Sequence, residues 1–237
     1  MKLFKIKNSF VLIIFGASGD LAKLKLFPAV YALMEQNRFP KNFYVVGYAR
    51  SKITDKQFQK SFEESIKSQV KNYDQKKLKQ LLQKLSYFQG QYNKLEDFQK
   101  LRSYLKEITG SHAITKLAYF SVPPTIFKDI VQNLGESRIT EKEDLRLILE
   151  KPFGQNTETA TELFHFVARY FNEDCVYLLD HYLGKSSVQS ILSLRHSNRL
   201  INLMMKGPEV ANIQITASES VGVNKRAGYF DQVGTLK

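Results

Sequence analysis

A run of apolar residues that ends on a glycine constrains this chain more than any other feature. Val11-Leu12-Ile13-Ile14-Phe15 is long enough for a strand and offers no polar side to water. That is the pattern of a strand buried on both faces of a parallel sheet. Gly16-Ala17-Ser18-Gly19-Asp20-Leu21-Ala22-Lys23 follows at once. The two glycines permit a tight turn and a close approach of backbone to ligand. Helical spacing begins directly afterwards, so the free N–H groups of a helix start face the turn, an arrangement that holds a phosphate. Gly16-x-x-Gly19-x-x-Ala22 is a variant of the dinucleotide fingerprint, and its place between a buried strand and a helix is the context that gives it meaning. The alternative is a plain strand-to-helix connection.

Strand and helix signals alternate along the rest of the chain. A helix of about Leu21 to Asn37 carries Leu21, Leu24, Phe27, Tyr31 and Met34 on one side. Phe43 to Tyr48 reads as a second strand. Two or three lysine-rich amphipathic helices follow, one of them with Leu95, Phe98, Leu101, Leu105 and Ile108 at spacings of three and four. Leu117 to Val122 reads as a strand ended by Pro123-Pro124, after which Thr125 can cap a helix. Leu145 to Glu150 is another strand, Thr157 to Phe171 a helix and Val176 to Leu179 a strand. Strands separated by helices predict an α/β fold, a doubly wound Rossmann-like parallel sheet. After Asp180 the character changes. A helix of about Lys185 to Arg195 leads to Val210 to Ala217, whose apolar and polar residues alternate as in a half-exposed antiparallel strand. The expected division is 1–179 for a nucleotide-binding domain and 180–237 for part of an α+β domain.

The bulk composition excludes several classes. The single cysteine, Cys175, allows no internal disulfide and suits a reducing compartment. No run approaches membrane-spanning length and no signal sequence is evident, so a cytoplasmic protein without a membrane partner is expected. The formal charge of +12 comes from 35 basic and 23 acidic residues. Many of the lysines lie between Lys52 and Lys106 among Gln, Glu and Asp, the pattern of solvated helix faces rather than of a nucleic-acid footprint. None of His112, His165 and His196 has metal-ligand spacing, so no metal is expected.

Three further motifs carry chemistry. Gly47-Tyr48-Ala49-Arg50-Ser51-Lys52 closes the second strand without the Asp or Glu that reads a ribose 2′-hydroxyl. Arg50 can pair with a 2′-phosphate instead, which favours NADP; the alternative is an exposed loop arginine. Glu150-Lys151-Pro152-Phe153-Gly154 ends a parallel strand, where ligands bind, so Lys151 is placed to meet substrate or to be a surface lysine in a turn. In Asp180-His181-Tyr182-Leu183-Gly184-Lys185 the histidine and lysine can bind a phosphate, or Asp180 simply caps a helix. Adjacent residues rarely point the same way, which argues against an Asp180–His181 dyad.

Taken in this order, these segments resemble the glucose-6-phosphate dehydrogenase family. The resemblance extends through Pro123-Pro124-Thr125 to Gly228-Tyr229-Phe230-Asp231 and covers essentially the whole chain. It implies oxidation of D-glucose 6-phosphate at C1 to 6-phospho-D-glucono-1,5-lactone with hydride transfer to NADP, a step of the oxidative pentose phosphate pathway. By motif, Gly16, Ser18, Gly19, Asp20 and Leu21 fall in the coenzyme phosphate loop and Arg50 on the 2′-phosphate. Lys151 falls against both coenzyme and sugar. His181, Tyr182, Lys185 and Glu219 fall on glucose 6-phosphate, and Asp180 matches the acid that orients the catalytic histidine.

The departures are as informative. Leu24 replaces a usual basic residue, Leu178 a usual arginine, and Ser186 a common glutamate. The family carries its catalytic histidine shortly after Gly-Tyr-Phe-Asp, whereas this sequence ends at Lys237. The expectation is therefore a Rossmann-like domain followed by the truncated start of the substrate domain. The homodimer or tetramer of the full-length family is in doubt for these residues. The alternative is a catalytically inactive nucleotide-binding remnant.

Overall fold

The computed structural model describes residues 5–110, 114–139, 145–154, 156–214 and 216. They fall into two compact units, one running to Leu178 and the other beginning at Leu179.

Among the described residues there are six strands: β1 (Phe10–Phe15), β2 (Phe43–Ala49), β3 (Leu85–Gln89), β4 (Thr115–Phe120), β5 (Leu145–Glu150) and β6 (Val176–Leu179). Their order in the sheet is β3-β2-β1-β4-β5-β6. β1 pairs in parallel with β2 and β4, β2 with β3, and β4 with β5. The chain thus winds outward from β1 on one side, then returns and winds outward on the other. The apolar run makes this possible by filling both faces: Val11, Ile13 and Phe15 join one buried cluster, and Phe10 and Ile14 the other. Each such side chain contributes roughly 1.5–3 kcal/mol when fully withdrawn from water.

The first unit has six α-helices among its described residues: α1 (Phe27–Glu35), α2 (Asp55–Gln69), α3 (Gln75–Leu82), α4 (Leu95–Thr109), α5 (Phe127–Glu136) and α6 (Thr157–Val167). Phe27, Phe58, Phe62 and Leu81, from α1 to α3, pack in the cluster with Ile14. Phe98, Phe127 and Leu163, from α4 to α6, pack in the cluster with Phe15.

The first helix departs from the expected apolar face. Ala22–Leu26 forms a π-helical turn ahead of α1, in which the Phe27 N–H donates to the Ala22 carbonyl five residues back. Pro28 accounts for it. Having no N–H, it leaves the Leu24 carbonyl without its regular partner and the turn widens. The Lys23 carbonyl accepts from the Ser65 hydroxyl on α2 instead. The wider turn rotates the helix start, so Ala22 is buried with Phe27 and Tyr31 while Leu21 and Leu24 are 36% and 51% exposed.

β3 is a further correction, since the sequence between Lys52 and Lys106 reads as helices alone. Its polar Ser86 and Gln89 suit a short edge strand and dilute the apolar signal. Thr125 does not cap α5: it lies inside a 3-10 turn, Pro124–Ile126, and α5 begins without a side-chain cap.

The second unit holds a 3-10 turn (His181–Gly184), α7 (Ser186–Ser197) and α8 (Arg199–Met204). Neither helix buries a residue. The strand expected from Val210 is not formed over the described residues 211–214. A strand exists only as part of a ladder, and among the described residues nothing pairs with this one.

Candidate functional site

The chain leaves β1 through Gly16, whose φ of +86° only glycine adopts without strain. Its N–H donates to the Tyr48 carbonyl at 2.8 Å, and the Gly19 N–H donates back to the Gly16 carbonyl at 2.9 Å, closing the turn. Helical hydrogen bonding starts at the Lys23 N–H, which reaches the Gly19 carbonyl. Among the described residues the N–H groups of Ser18, Asp20 and Leu21 make no hydrogen bond within the chain. Three unengaged amides at a helix start, over a glycine turn, suit an anionic diphosphate. Gly16, Ser18, Gly19, Asp20 and Leu21 therefore stand together as one element.

Arg50 and Ser51 leave β2 beside this turn. The Ser18 and Ser51 hydroxyls lie 3.2 Å apart, which ties the turn to the end of β2. Residues from β3 onward, which the sequence reading did not single out, hold the Arg50 loop. The Tyr87 hydroxyl donates to the Ser51 carbonyl at 2.6 Å and to the Ala49 carbonyl at 3.2 Å. Gln89 reaches the Arg50 carbonyl at 3.4 Å. Burial pushes the Tyr87 phenol up to about 12, with a smaller push from Tyr92, so it remains a donor at neutral pH. The Arg50 guanidinium lies 5.6 Å from the centre of the Tyr92 ring. Burial raises the Tyr92 phenol, while the Arg50 charge and a backbone contact at Gly16 lower it. Tyr92 thus touches both the turn and the arginine. The signal for these residues lay in Tyr87-Phe88-Gln89-Gly90, an aromatic run that stops at a glycine.

Lys151 follows β5 directly and is exposed; the Lys151–Pro152 peptide is cis. Its strand is separated from β1 by β4, which puts it about 10 Å along the edge of the sheet at the usual strand spacing. The turn of β1, Arg50 of β2 and Lys151 of β5 all lie at C-terminal strand ends, where open α/β sheets take their ligands.

In the second unit the Asp180 carboxylate accepts from the Tyr182 N–H at 3.0 Å and caps the 3-10 turn. The Lys185 ammonium sits 3.9 Å from the centre of the Tyr182 ring, a cation–π contact. His181, Tyr182 and Lys185 are exposed. Glu219 lies outside the described residues. Cys175 is half-buried, and His165 is exposed on α6. No helix among the described residues is long and apolar enough to cross a membrane.

Comparison with known proteins agrees with the fold. Residues 13–190 match the family model described as glucose-6-phosphate dehydrogenase, NAD binding domain, and residues 192–237 match its C-terminal domain. The chain is 39% identical over 228 residues to a glucose-6-phosphate 1-dehydrogenase of Schizosaccharomyces pombe, covering 95% of this chain and 46% of that protein. With the Caenorhabditis elegans enzyme of that name it shares 35% identity, covering 98% of this chain and 45% of the relative. A solved glucose-6-phosphate dehydrogenase in complex with glucose 6-phosphate superposes with a TM-score of 0.88 at 34% identity, over 99% of this chain and 49% of that one. The chain spans about half the length of the curated relatives it matches.

Proposed function

The chain belongs to the glucose-6-phosphate dehydrogenase family, and on that footing we propose that it serves the oxidation of D-glucose 6-phosphate at C1, with NADP as coenzyme. Residues 1–179 are the proposed coenzyme domain and 180–237 the start of the substrate domain. The observation that carries the reading is the meeting of the Gly16–Leu21 turn with Arg50 and Ser51 through the 3.2 Å contact of Ser18 and Ser51. The amides of Ser18, Asp20 and Leu21 bind the pyrophosphate. Arg50, braced on Tyr92 and held by Tyr87, pairs with the 2′-phosphate, and the segment Gly47 to Lys52 that carries it contains no Asp or Glu.

Bound NADP supplies the acceptor for the hydride that leaves C1. Lys151 positions the sugar against the coenzyme. His181, Tyr182 and Lys185 anchor the substrate phosphate, with Glu219 on the sugar. Loss of the hydride must be matched by loss of the C1 hydroxyl proton to a base, which closes the lactone. Asp180 orients that base. A second reading is coenzyme binding without turnover, since the Gly16–Leu21 turn and Arg50 both lie within the first compact unit.

Arg50→Ala tests the coenzyme assignment. Charge-assisted hydrogen bonds to a phosphate are worth enough that NADPH affinity should fall roughly 10- to 100-fold, with NADH affinity unchanged. An unaltered ratio between the two, measured by nucleotide fluorescence, rejects NADP. Formation of NADPH from glucose 6-phosphate above background rejects the second reading.

A further inference from the structure

The end of β5 carries a contact that phosphate recognition does not require. The register between β4 and β5 runs from Lys116 opposite Leu145 to Tyr119 opposite Ile148. Glu150 is the last residue of β5, two residues beyond the last registered position and immediately before Lys151. Side chains alternate along a strand, so Ile148 and Glu150 share one face. Glu150 is therefore the diagonal neighbour of Tyr119, toward the ligand-binding edge. The Tyr119 hydroxyl donates to Glu150 Oε1 across this diagonal. Burial and the Glu150 carboxylate both raise the Tyr119 phenol, which keeps its proton on and the donor intact near neutral pH.

We propose that Tyr119 is a positioning residue for Lys151, and through Lys151 for the nicotinamide half of the coenzyme. This rests on the role given to Lys151 above. A lysine is a flexible stem carrying about 2 kcal/mol of rotamer entropy, so its usefulness depends on a fixed starting point for the stem. The register of β5 with β4 runs as far as Ile148, and the Tyr119–Glu150 bond carries the tie between these two strands to the residue before Lys151. The adenine half of the coenzyme is read elsewhere, by the β1 turn and the end of β2. Tyr119 should therefore affect one end of the ligand and not the other.

The experiment compares NADPH with adenosine 2′,5′-bisphosphate, which carries the adenine half alone, on the full chain. Tyr119→Phe should raise the NADPH dissociation constant about three- to tenfold, the effect of one lost hydrogen bond, and leave the bisphosphate within about twofold. In a Lys151→Ala background the same change should have no further effect, because two residues acting through one contact are not additive. Glu150→Leu should copy Tyr119→Phe. Equal weakening of both ligands means a structural role and overturns the proposal, as does a full effect without Lys151 or no effect on NADPH. A wild-type chain that binds neither ligand instead defeats the coenzyme reading itself.

Discussion

Alanine at Gly16 should cost about 3–5 kcal/mol of folding stability and remove measurable NADPH binding. Two penalties combine. The φ of +86° is one that residues with a Cβ rarely adopt. A Cβ there would also stand 2.1 Å from the Ser121 carbonyl oxygen and 2.8 Å from Val122 Cγ1. The oxygen is backbone and cannot swing aside, because the Ser121 N–H donates to the Phe15 carbonyl at 2.9 Å and locks the end of β4 to β1. Relief requires the central strands to part. Alanine at Gly19 is the control: its Cβ would meet only the Gly16 carbonyl, at 3.2 Å, so stability should change by less than about 1 kcal/mol. Urea denaturation of both variants decides it. A Gly16→Ala midpoint indistinguishable from wild type would show that the turn is not packed as described.

Methionine at Lys116 should raise stability by about 2 kcal/mol at pH 7. Lys116 lies on β4 and is 2% exposed. Burial pushes its ammonium down to about 8, helped by the charges of Lys106 and Arg102. The unfolded chain then holds more protons than the folded one between about 8 and the ordinary lysine value, so stability rises with pH across that window. Below it the cost of burying the charge is present in full. Methionine keeps the stem and removes the charge, so the variant should lose this slope. The buried phenols of Tyr48 and Tyr119, raised chiefly by burial, act in the opposite sense above about pH 10. They are common to both proteins and cancel in the difference. Denaturation at pH 7 and pH 9.5 reads the effect, and a variant less stable than wild type at pH 7 would contradict it.

What the sequence disclosed follows what local patterns encode. Val11 to Phe15 announces a central strand because burial on both faces demands an unbroken apolar run. Gly16 and Gly19 announce the turn because no other residue type fits the first of them. Periodicity assumes a constant pitch, however, and Pro28 breaks that assumption one turn upstream, which is why Leu21 and Leu24 leave the buried face. β3 was hidden because its five residues include two polar ones and its strandness comes from pairing with β2 rather than from its own propensity. Arg50 was identifiable by its place after a strand. Its supports Tyr87, Gln89 and Tyr92 left only an aromatic run that stops at Gly90, which marks a strand end but not the contacts it makes some 40 residues away. Over the described residues 211–214 the strand expected from Val210 is not formed, for the converse reason: alternation states a preference, and a ladder partner must realise it.

The outermost ribbon of the sheet has a disproportionate part. β3 lies at one margin, yet its Tyr87 and Gln89 grip the carbonyls of the Arg50 loop. Under the proposed coenzyme assignment, the diphosphate cradle would depend on the innermost ribbon and discrimination at the adenosine ribose on the border one. On that assignment a change at exposed Gln89 would retune which dinucleotide is preferred without touching the interior, whereas a change at Tyr87, buried against Phe58, would reach both selectivity and the core.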